Sequence, residues 1–233
     1  MIADRNSVSE STAMRLSVYL RCVDLLETDG ICRVSSEGLA RRFDLNSAQI
    51  RKDLAAFGEF GVRGVGYQVP ELKRHLRSIL GLDETRRVAI VGAGHLGQAL
   101  ADYRGFRSGG FEISGLFDND RSKIGTRSRT GVTVYDVARL KELVIQREIQ
   151  IGMITVPASA APDVARLCVE AGLRALLNFA PARLQAPPGV RLKNVDLKIN
   201  LETLSFYIAG SSPRRRREEW PQTPSQPRSH RRT

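Results

Sequence analysis

The residues best suited to chemistry are Gly92-Ala93-Gly94-His95-Leu96-Gly97, which follow the apolar run VAIV and precede the helix-forming stretch LGQALADY. Three glycines at this spacing between a strand and a helix suit the pyrophosphate of a dinucleotide. The first permits a tight turn, the second lets the backbone come close to phosphate oxygens, and the third lets helix pack against strand. The N–H groups at the helix start offer the phosphates a positive end. The next apolar run, FEISGLFDND, closes on Asp118, 21 positions after Gly97. A carboxylate there accepts from adenosine ribose hydroxyls and repels a 2′-phosphate, which favours NAD over NADP. Asp120 is a second candidate for that role, with a turn residue as its plainer reading, and Arg121 and Lys123 temper the exclusion of NADP. His95, at a variable position of the loop, reads as a solvent-facing filler.

A second constellation lies nearer the N-terminus. Asn46 followed three residues later by Gln49 has the form of a capping box opening the helix SAQIRKDLAAF. Ile50, Leu54 and Phe57 form its buried stripe, which puts Ala48, Lys52, Ala55 and Ala56 on the opposite face, flanked by Gln49 and Arg51. Small residues for close approach, with Gln, Arg and Lys to reach base edges and phosphates, suit a helix that enters a DNA groove. The text that follows, GEFGVRGVGYQV, carries glycines at 58, 61, 64 and 66 around Arg63. It reads as a tight hairpin, a wing able to lie on a phosphate backbone or in the minor groove. The DNA-contacting candidates are therefore Ser47, Ala48, Gln49, Arg51, Lys52, Arg63, Gly64, Gly66 and Tyr67.

Elements must hold these groups in place. A first helix is expected over Met14 to Glu27, with Leu16, Leu20, Val23 and Leu26 near helical spacing and Asp29-Gly30 as its stop. A second begins at the Ser35-Ser36 cap and runs from Glu37 to Phe43, burying Leu39 and Phe43. The turn Asp44-Leu45-Asn46 leads to the third, which completes a helix-turn-helix plan. Pro70 opens a linking helix, ELKRHLRSIL, that Gly81 ends. From Arg87 onward, apolar strands alternate with helical stretches, as in βαβ units on a parallel sheet covered on both faces. The expected fold is α/β: residues 15–80 a winged helix-turn-helix domain, 81–197 a doubly wound Rossmann domain, with disordered ends at 1–14 and 211–233.

The 233 residues have room for two modest domains. The net charge of +11 points to nucleic acid less than its size suggests. Residues 1–80 carry twelve Lys/Arg against ten Asp/Glu, whereas 211–233 carry seven against two. Much of the excess thus sits in an Arg-, Pro- and Ser-rich tail too polar to fold alone. No apolar run approaches the roughly 20 residues of a membrane span, and the N-terminus lacks a signal-peptide layout. Cys22, Cys32 and Cys168 are odd in number and far apart, which argues against a disulfide framework and for a reducing cytoplasm. A dehydrogenase needs an acid and a substrate clamp. The three histidines fall in the linker (His75), the glycine loop (His95) and the tail (His230), so no catalytic residue and no metal site is assigned. The residues alone leave open a small NAD-dependent oxidoreductase, a ligase subunit binding coenzyme A, or a DNA-binding regulator sensing some other nucleotide.

Taken in order, SSEGLARRFDLNSAQIRKDLAAFGEFGVRGVGY, VAIVGAGHLGQALADYRGF, FDND, LLNFAP and NVDLKINLETLSFYI resemble the redox-sensing transcriptional repressor family Rex, from about Arg15 to Ile208. The resemblance implies a cytoplasmic homodimer that binds palindromic operator DNA and releases it when NADH, rather than NAD⁺, closes the two Rossmann domains. It implies that a last helix, 198–210, is exchanged between subunits, with Leu201, Leu204, Phe206 and Ile208 as its apolar stripe. It also implies a switch in which Asp196 pairs with Arg21 in one state and accepts from the Tyr103 hydroxyl in the other. The sequence departs from the family pattern at Arg104, usually proline, and at Leu197, commonly aromatic. A pocket of Val156, Pro157, Asn178, Phe179, Ala180 and Pro181 would prefer the neutral reduced nicotinamide to the cationic oxidised ring. Driving such a dimer almost wholly from one state to the other takes about 5.5 kcal/mol of differential binding.

Overall fold

Ser9 fixes where the first helix starts. Its hydroxyl accepts from the Thr12 N–H at 3.2 Å, so α1 spans Glu10–Thr28. The computed structural model describes residues 8–58, 60–62 and 65–210. The helix thus opens ahead of the expected Met14, and residues 10–14, expected to be disordered, form its first turn. The stripe Leu16, Tyr19, Leu20, Val23 and Leu26 is buried. A short strand, β1 (Arg33–Val34), follows, then α2 (Ser36–Phe43) and α3 (Ser47–Ala55). Ser35 caps α2 by accepting from the Gly38 N–H at 2.9 Å, and Asp44 ends it in the left-handed region at φ 52°. Asn46 caps α3, accepting from the Gln49 N–H at 2.9 Å. The capping box is half-made, because the Gln49 amide donates to Asp53 at 2.7 Å instead of turning back.

β2 (Tyr67–Gln68) pairs antiparallel with β1, an unforeseen strand between α1 and α2. This clamps the hairpin base against the helices. Gly66, at φ 90°, lies where a Cβ would stand 2.5 Å from the Val34 carbonyl oxygen, so only glycine permits that approach. A Val62–Gly66 bridge closes the hairpin, and Arg63 and Gly64 lie outside the described residues. α4 (Val69–Ile79) carries Pro70 in its first turn and buries Val69, Leu72 and Leu76 against α1. Exposed ion pairs such as Arg42–Asp29 and Arg51–Glu37 add little, because water screens both partners. Apolar burial, at roughly 2 kcal/mol per large side chain, holds this helical layer, joined by one buried polar network.

The remaining strands are β3 (Arg86–Val91), β4 (Phe111–Asp118), β5 (Val134–Asp136), β6 (Ile151–Ile154), β7 (Ala175–Asn178) and β8 (Arg191–Asn194). They form one parallel sheet in the order β5-β4-β3-β6-β7-β8. Counting outward from β3, this is the doubly wound order, with its reversal between β3 and β6. Alternation sorts the side chains: Val88 and Ile90 enter one core with Leu116 and Met153, while Ala89 and Val91 enter the other with Phe117 and Ile154. α5 (His95–Ala101) and α6 (Arg104–Ser108) supply Ala101 and Phe106 to the first core. α7 (Leu140–Gln146) and α8 (Ala161–Glu170) supply Leu143 and Cys168 to the second. α5 has only seven residues, shorter than the LGQALADY stretch implied, and α6 was not foreseen.

Contacts divide the chain between Asn194 and Val195. The second unit contains one described helix, α9 (Leu197–Gly210). Asp196 Oδ1 accepts from the N–H groups of Lys198 at 2.9 Å and Ile199 at 3.4 Å. The expected stripe is only part of its apolar surface: Leu197, Ile199, Leu201, Leu204, Phe206, Tyr207 and Ile208 are all exposed. The Arg-rich stretch 211–233 lies outside the described residues, as do residues 1–7.

Candidate nucleotide cleft and reader surface

The glycine loop lies at the reversal point of the sheet, and its three glycines differ in what surrounds them. Gly92, at φ 108°, would place a Cβ 2.7 Å from the Thr155 carbonyl oxygen. A Cβ on Gly97 would stand 1.9 Å from the Gly92 carbonyl oxygen. Gly94 faces nothing within 4 Å. Two glycines thus satisfy packing constraints, and the third leaves open the approach a phosphate needs. Thr155, just beyond β6, was not singled out from the sequence. Its hydroxyl donates to the carbonyls of Val91 at 3.1 Å and Gly92 at 2.8 Å, tying the loop across the reversal. A Thr at a strand end carries no signal until the two strands are known to be neighbours.

Asp118 closes β4 and is nearly buried, with its side chain 10 % exposed. It accepts from the Ala93 N–H at 2.7 Å, the Asp120 N–H at 2.9 Å and the Lys123 ammonium at 3.2 Å. Burial alone would raise its pKa, but the backbone donors and Lys123 outweigh burial and hold it below the ordinary carboxylate range. Asp120 turns back on its own loop, accepting from the Ser122 N–H and hydroxyl at 2.9 and 2.6 Å, which matches its turn-residue reading. Ala93 is buried, and His95 and Leu96 are exposed on the first turn of α5. A cleft of about 570 Å³ runs along this edge, lined by Gly94, His95, Asp102, Lys123, Arg127 and Arg129. Asp102 anchors its far wall through the Thr130 N–H at 2.8 Å, and its carboxyl is held far below the usual range. Burial opposes this shift, and the Thr130 N–H and the Ser128 and Thr130 hydroxyls drive it.

The residues expected around a nicotinamide occupy the ends of β6 and β7, which are adjacent strands. Val156 and Phe179 are half-buried, and Pro157 and Pro181 are exposed. Ala180 and Asn178 are buried, and Asn178 has no exposed surface. The Asn178 amide donates to the Ala182 carbonyl and to Asn194 Oδ1, both at 2.8 Å, and accepts from the Ala180 N–H at 2.9 Å. It supports the turn from beneath and offers a ligand no free group.

On the helical layer, Ala48, Arg51, Lys52, Ala55 and Ala56 are exposed along one face of α3, as the spacing predicted. Ser47 and Gln49 are half-buried. Arg51 donates to the Ser36 hydroxyl at 3.0 Å and pairs with Glu37. A groove of about 560 Å³ separates α3 from the hairpin, lined by Ser35, Arg51, Ala55, Gly61, Gly66 and Tyr67. Tyr67 is half-buried in β2, and burial raises its pKa. Beneath α3 lies Asp53, 4 % exposed, which was not singled out from the sequence. Its Oδ2 accepts from Arg15 Nε at 2.6 Å and the Tyr19 hydroxyl at 2.9 Å, and its Oδ1 from Arg15 Nη2 at 2.8 Å and Gln49 Nε2 at 2.7 Å. The Arg15 guanidinium holds this carboxyl below its ordinary pKa, while burial and the Asp53 hydrogen bond push Tyr19 up to about 12.

Of the three switch candidates, Arg21 is exposed on α1 and Tyr103 is 60 % exposed, its ring edge-on to Phe106. No hydrogen bond among the described residues joins those two, and Asp196 caps α9 in the second unit. Arg104 opens α6 at its first helical position, where a backbone N–H has no partner within the helix.

Two family models match in tandem: "Putative DNA-binding protein N-terminus" over residues 7–55 and "CoA binding domain" over residues 83–182. The redox-sensing transcriptional repressor Rex of Desulfitobacterium hafniense is 49% identical over 201 residues, covering 86% of this chain and 95% of its own. That of Carboxydothermus hydrogenoformans is 50% identical, covering 86% and 96%. The chain belongs to the Rex family of redox-sensing transcriptional repressors. A solved family member, RSP in complex with β-NAD⁺ and operator DNA, superposes with a TM-score of 0.83 at 38% identity, covering 87% of this chain and 93% of that one. RSP in complex with β-NADH gives 0.78 at 37%, covering 88% and 95%. These relatives are named as repressors. Among the described residues no helix is long and apolar enough to cross a membrane.

Proposed function

We propose that this chain is a homodimeric repressor that holds palindromic operator DNA when NADH is scarce and releases it when NADH occupies the cleft at Gly92–Gly97. The observation that carries the reading is the glycine loop: two glycines locked by backbone contacts, and Gly94 left open over the sheet reversal. RSP, at 38% identity, was solved with both NAD⁺ and operator DNA, which supports one chain serving both ligands. The loop backbone takes the pyrophosphate, Asp118 the adenosine ribose, and Val156, Pro157, Phe179, Ala180 and Pro181 the nicotinamide side. Ser47, Ala48, Gln49, Arg51 and Lys52 read the major groove. Arg63 and Gly64 of the hairpin, with Gly66 and Tyr67 at its base, meet the backbone or minor groove. The domains divide near residue 80 and near residue 197.

The ligand is a signal and not a substrate, so binding without turnover is the activity. α9 supports the dimer, because Leu197, Ile199, Leu201, Leu204, Phe206 and Ile208 are six large apolar side chains exposed on one helix, and such a patch favours a partner surface. Exchange of Asp196 between Arg21 and Tyr103 links cofactor to DNA, as a bidentate Arg–carboxylate pair makes such an exchange discrete. A regulator of operator DNA works in the cytoplasm, with no metal. The test is a labelled palindromic duplex, recovered by selection from random DNA, titrated with NADH, NAD⁺, NADPH and coenzyme A. Release by NADH alone, with NADH absorbance constant, is the expected result; indifference to NADH overturns the sensor, and consumption of NADH overturns the absence of chemistry.

A further inference from the structure

The Asp53 carboxylate has about four lone-pair sites, and four donors fill them: two from Arg15, one from Tyr19 and one from Gln49. A carboxylate only accepts, so the Gln49 amide must turn its nitrogen toward Asp53 and its oxygen away. An unconstrained glutamine can present its amide either way round. It can then accept from the adenine N6 amino group or donate to the guanine O6. With the nitrogen pinned from below, Oε1 and the second N–H remain. The oxygen suits an exocyclic amino group, the N–H suits a purine N7, and adenine alone presents both in the major groove. The guanine O6 and thymine O4 would meet Oε1 as acceptor against acceptor.

Resting on the reading of α3 as the groove-entering helix, we infer that Asp53 is a positioning residue for DNA specificity. It fixes the polarity of the Gln49 amide so that this position selects adenine. Arg15 and Tyr19 serve the same end from α1, 38 and 34 residues away in sequence, by keeping the carboxylate charged and immobile. The arrangement also explains an otherwise costly choice. A buried carboxylate in a reader helix adds little stability over an apolar residue, but it orients a neighbouring amide that apolar packing would leave free to turn.

The experiment uses the full-length chain and the duplex recovered by selection from random DNA. Each major-groove adenine is replaced in turn by guanine, by purine without the N6 amino group, and by 7-deaza-adenine. For the native chain one adenine per half-site should tolerate none of the three changes, each lowering affinity by about fivefold to about a hundredfold. Gln49→Ala should erase that preference. Asp53→Asn should bring the adenine-to-guanine ratio at the same base pair close to one, with preferences at other base pairs kept. If Gln49→Ala changes no base preference, the placement of α3 in the groove fails. If Gln49→Ala does so but a folded Asp53→Asn keeps the adenine preference, the positioning role alone is overturned. Should Asp53→Asn fail to fold by circular dichroism, the native chain decides: no penalty for a missing N6 amino group at any adenine overturns the inference.

Discussion

In the sheet, the candidate cleft is made of backbone: Gly92 and Gly97 are fixed by carbonyl contacts, and Thr155 and Asp118 brace the start of the loop at Gly92 and Ala93. In the helical layer, the candidate reader face is made of side chains, and one of them, Gln49, is held by a buried carboxylate that also receives donors from α1. The first site depends on the absence of atoms and the second on charge held under a helix. A backbone site tolerates change in side chains around it but none in the glycines. A side-chain site instead fails through residues that never touch the ligand.

The sharpest way to break this contrast is Gly97→Ala. Its Cβ would meet the Gly92 carbonyl at 1.9 Å, so we expect a stability loss at or above about 3 kcal/mol in urea unfolding together with loss of NADH binding. Gly94→Ala, whose Cβ meets nothing within 4 Å, should melt like the native chain yet bind NADH poorly by fluorescence titration. Equal effects from the two would erase the distinction between packing glycine and approach glycine. In the helical layer, Arg15→Met leaves Asp53 buried without its cation. Arg15 is 35% exposed, so we expect the low end for a broken buried pair, about 3 kcal/mol. Operator affinity should fall more than NADH affinity does.

The same network sets a pH dependence at both extremes. The lowered Asp53 pKa stabilises the fold above the ordinary carboxylate pKa, a contribution lost as pH falls through the lower folded value. Tyr19, raised to about 12, contributes stability that is whole below about pH 10 and lost as pH rises toward its folded pKa. That loss, on the order of 2 kcal/mol, should vanish from thermal melts of Tyr19→Phe in that window. Thr155→Val removes one hydroxyl from two carbonyls and should cost about 1 kcal/mol, with weaker NADH binding as its larger symptom. Smallest of all, Glu37→Ala breaks an exposed pair with Arg51. Thermal stability should hardly move, because water screens the pair, while operator affinity rises as the freed guanidinium turns to phosphate.

What was legible in the sequence follows the same division. The placement of the glycine loop between strand and helix, the doubly wound alternation and the acid closing β4 were readable because each is a local pattern. The three helices of the reader were readable from stripes and caps, with α1 misjudged at its start because Ser9 outranks the first apolar residue. Asp53 and Thr155 were not readable. Their roles exist only between elements distant in the chain, and an acid on a helix or a Thr at a strand end is common enough to mean nothing alone. Asn178, expected beside the nicotinamide, is buried and spends its amide hydrogen bonds on the turn above it, which its sequence position gave no sign of.

Asp118 carries one more consequence. Its carboxylate already serves two backbone N–H groups and the Lys123 ammonium, three donors on about four lone-pair sites. On the proposed reading, a first ribose hydroxyl takes the site left over, and a second must displace the ammonium. The first hydrogen bond is then a gain, and the second an exchange whose free energy is only the difference between two partners.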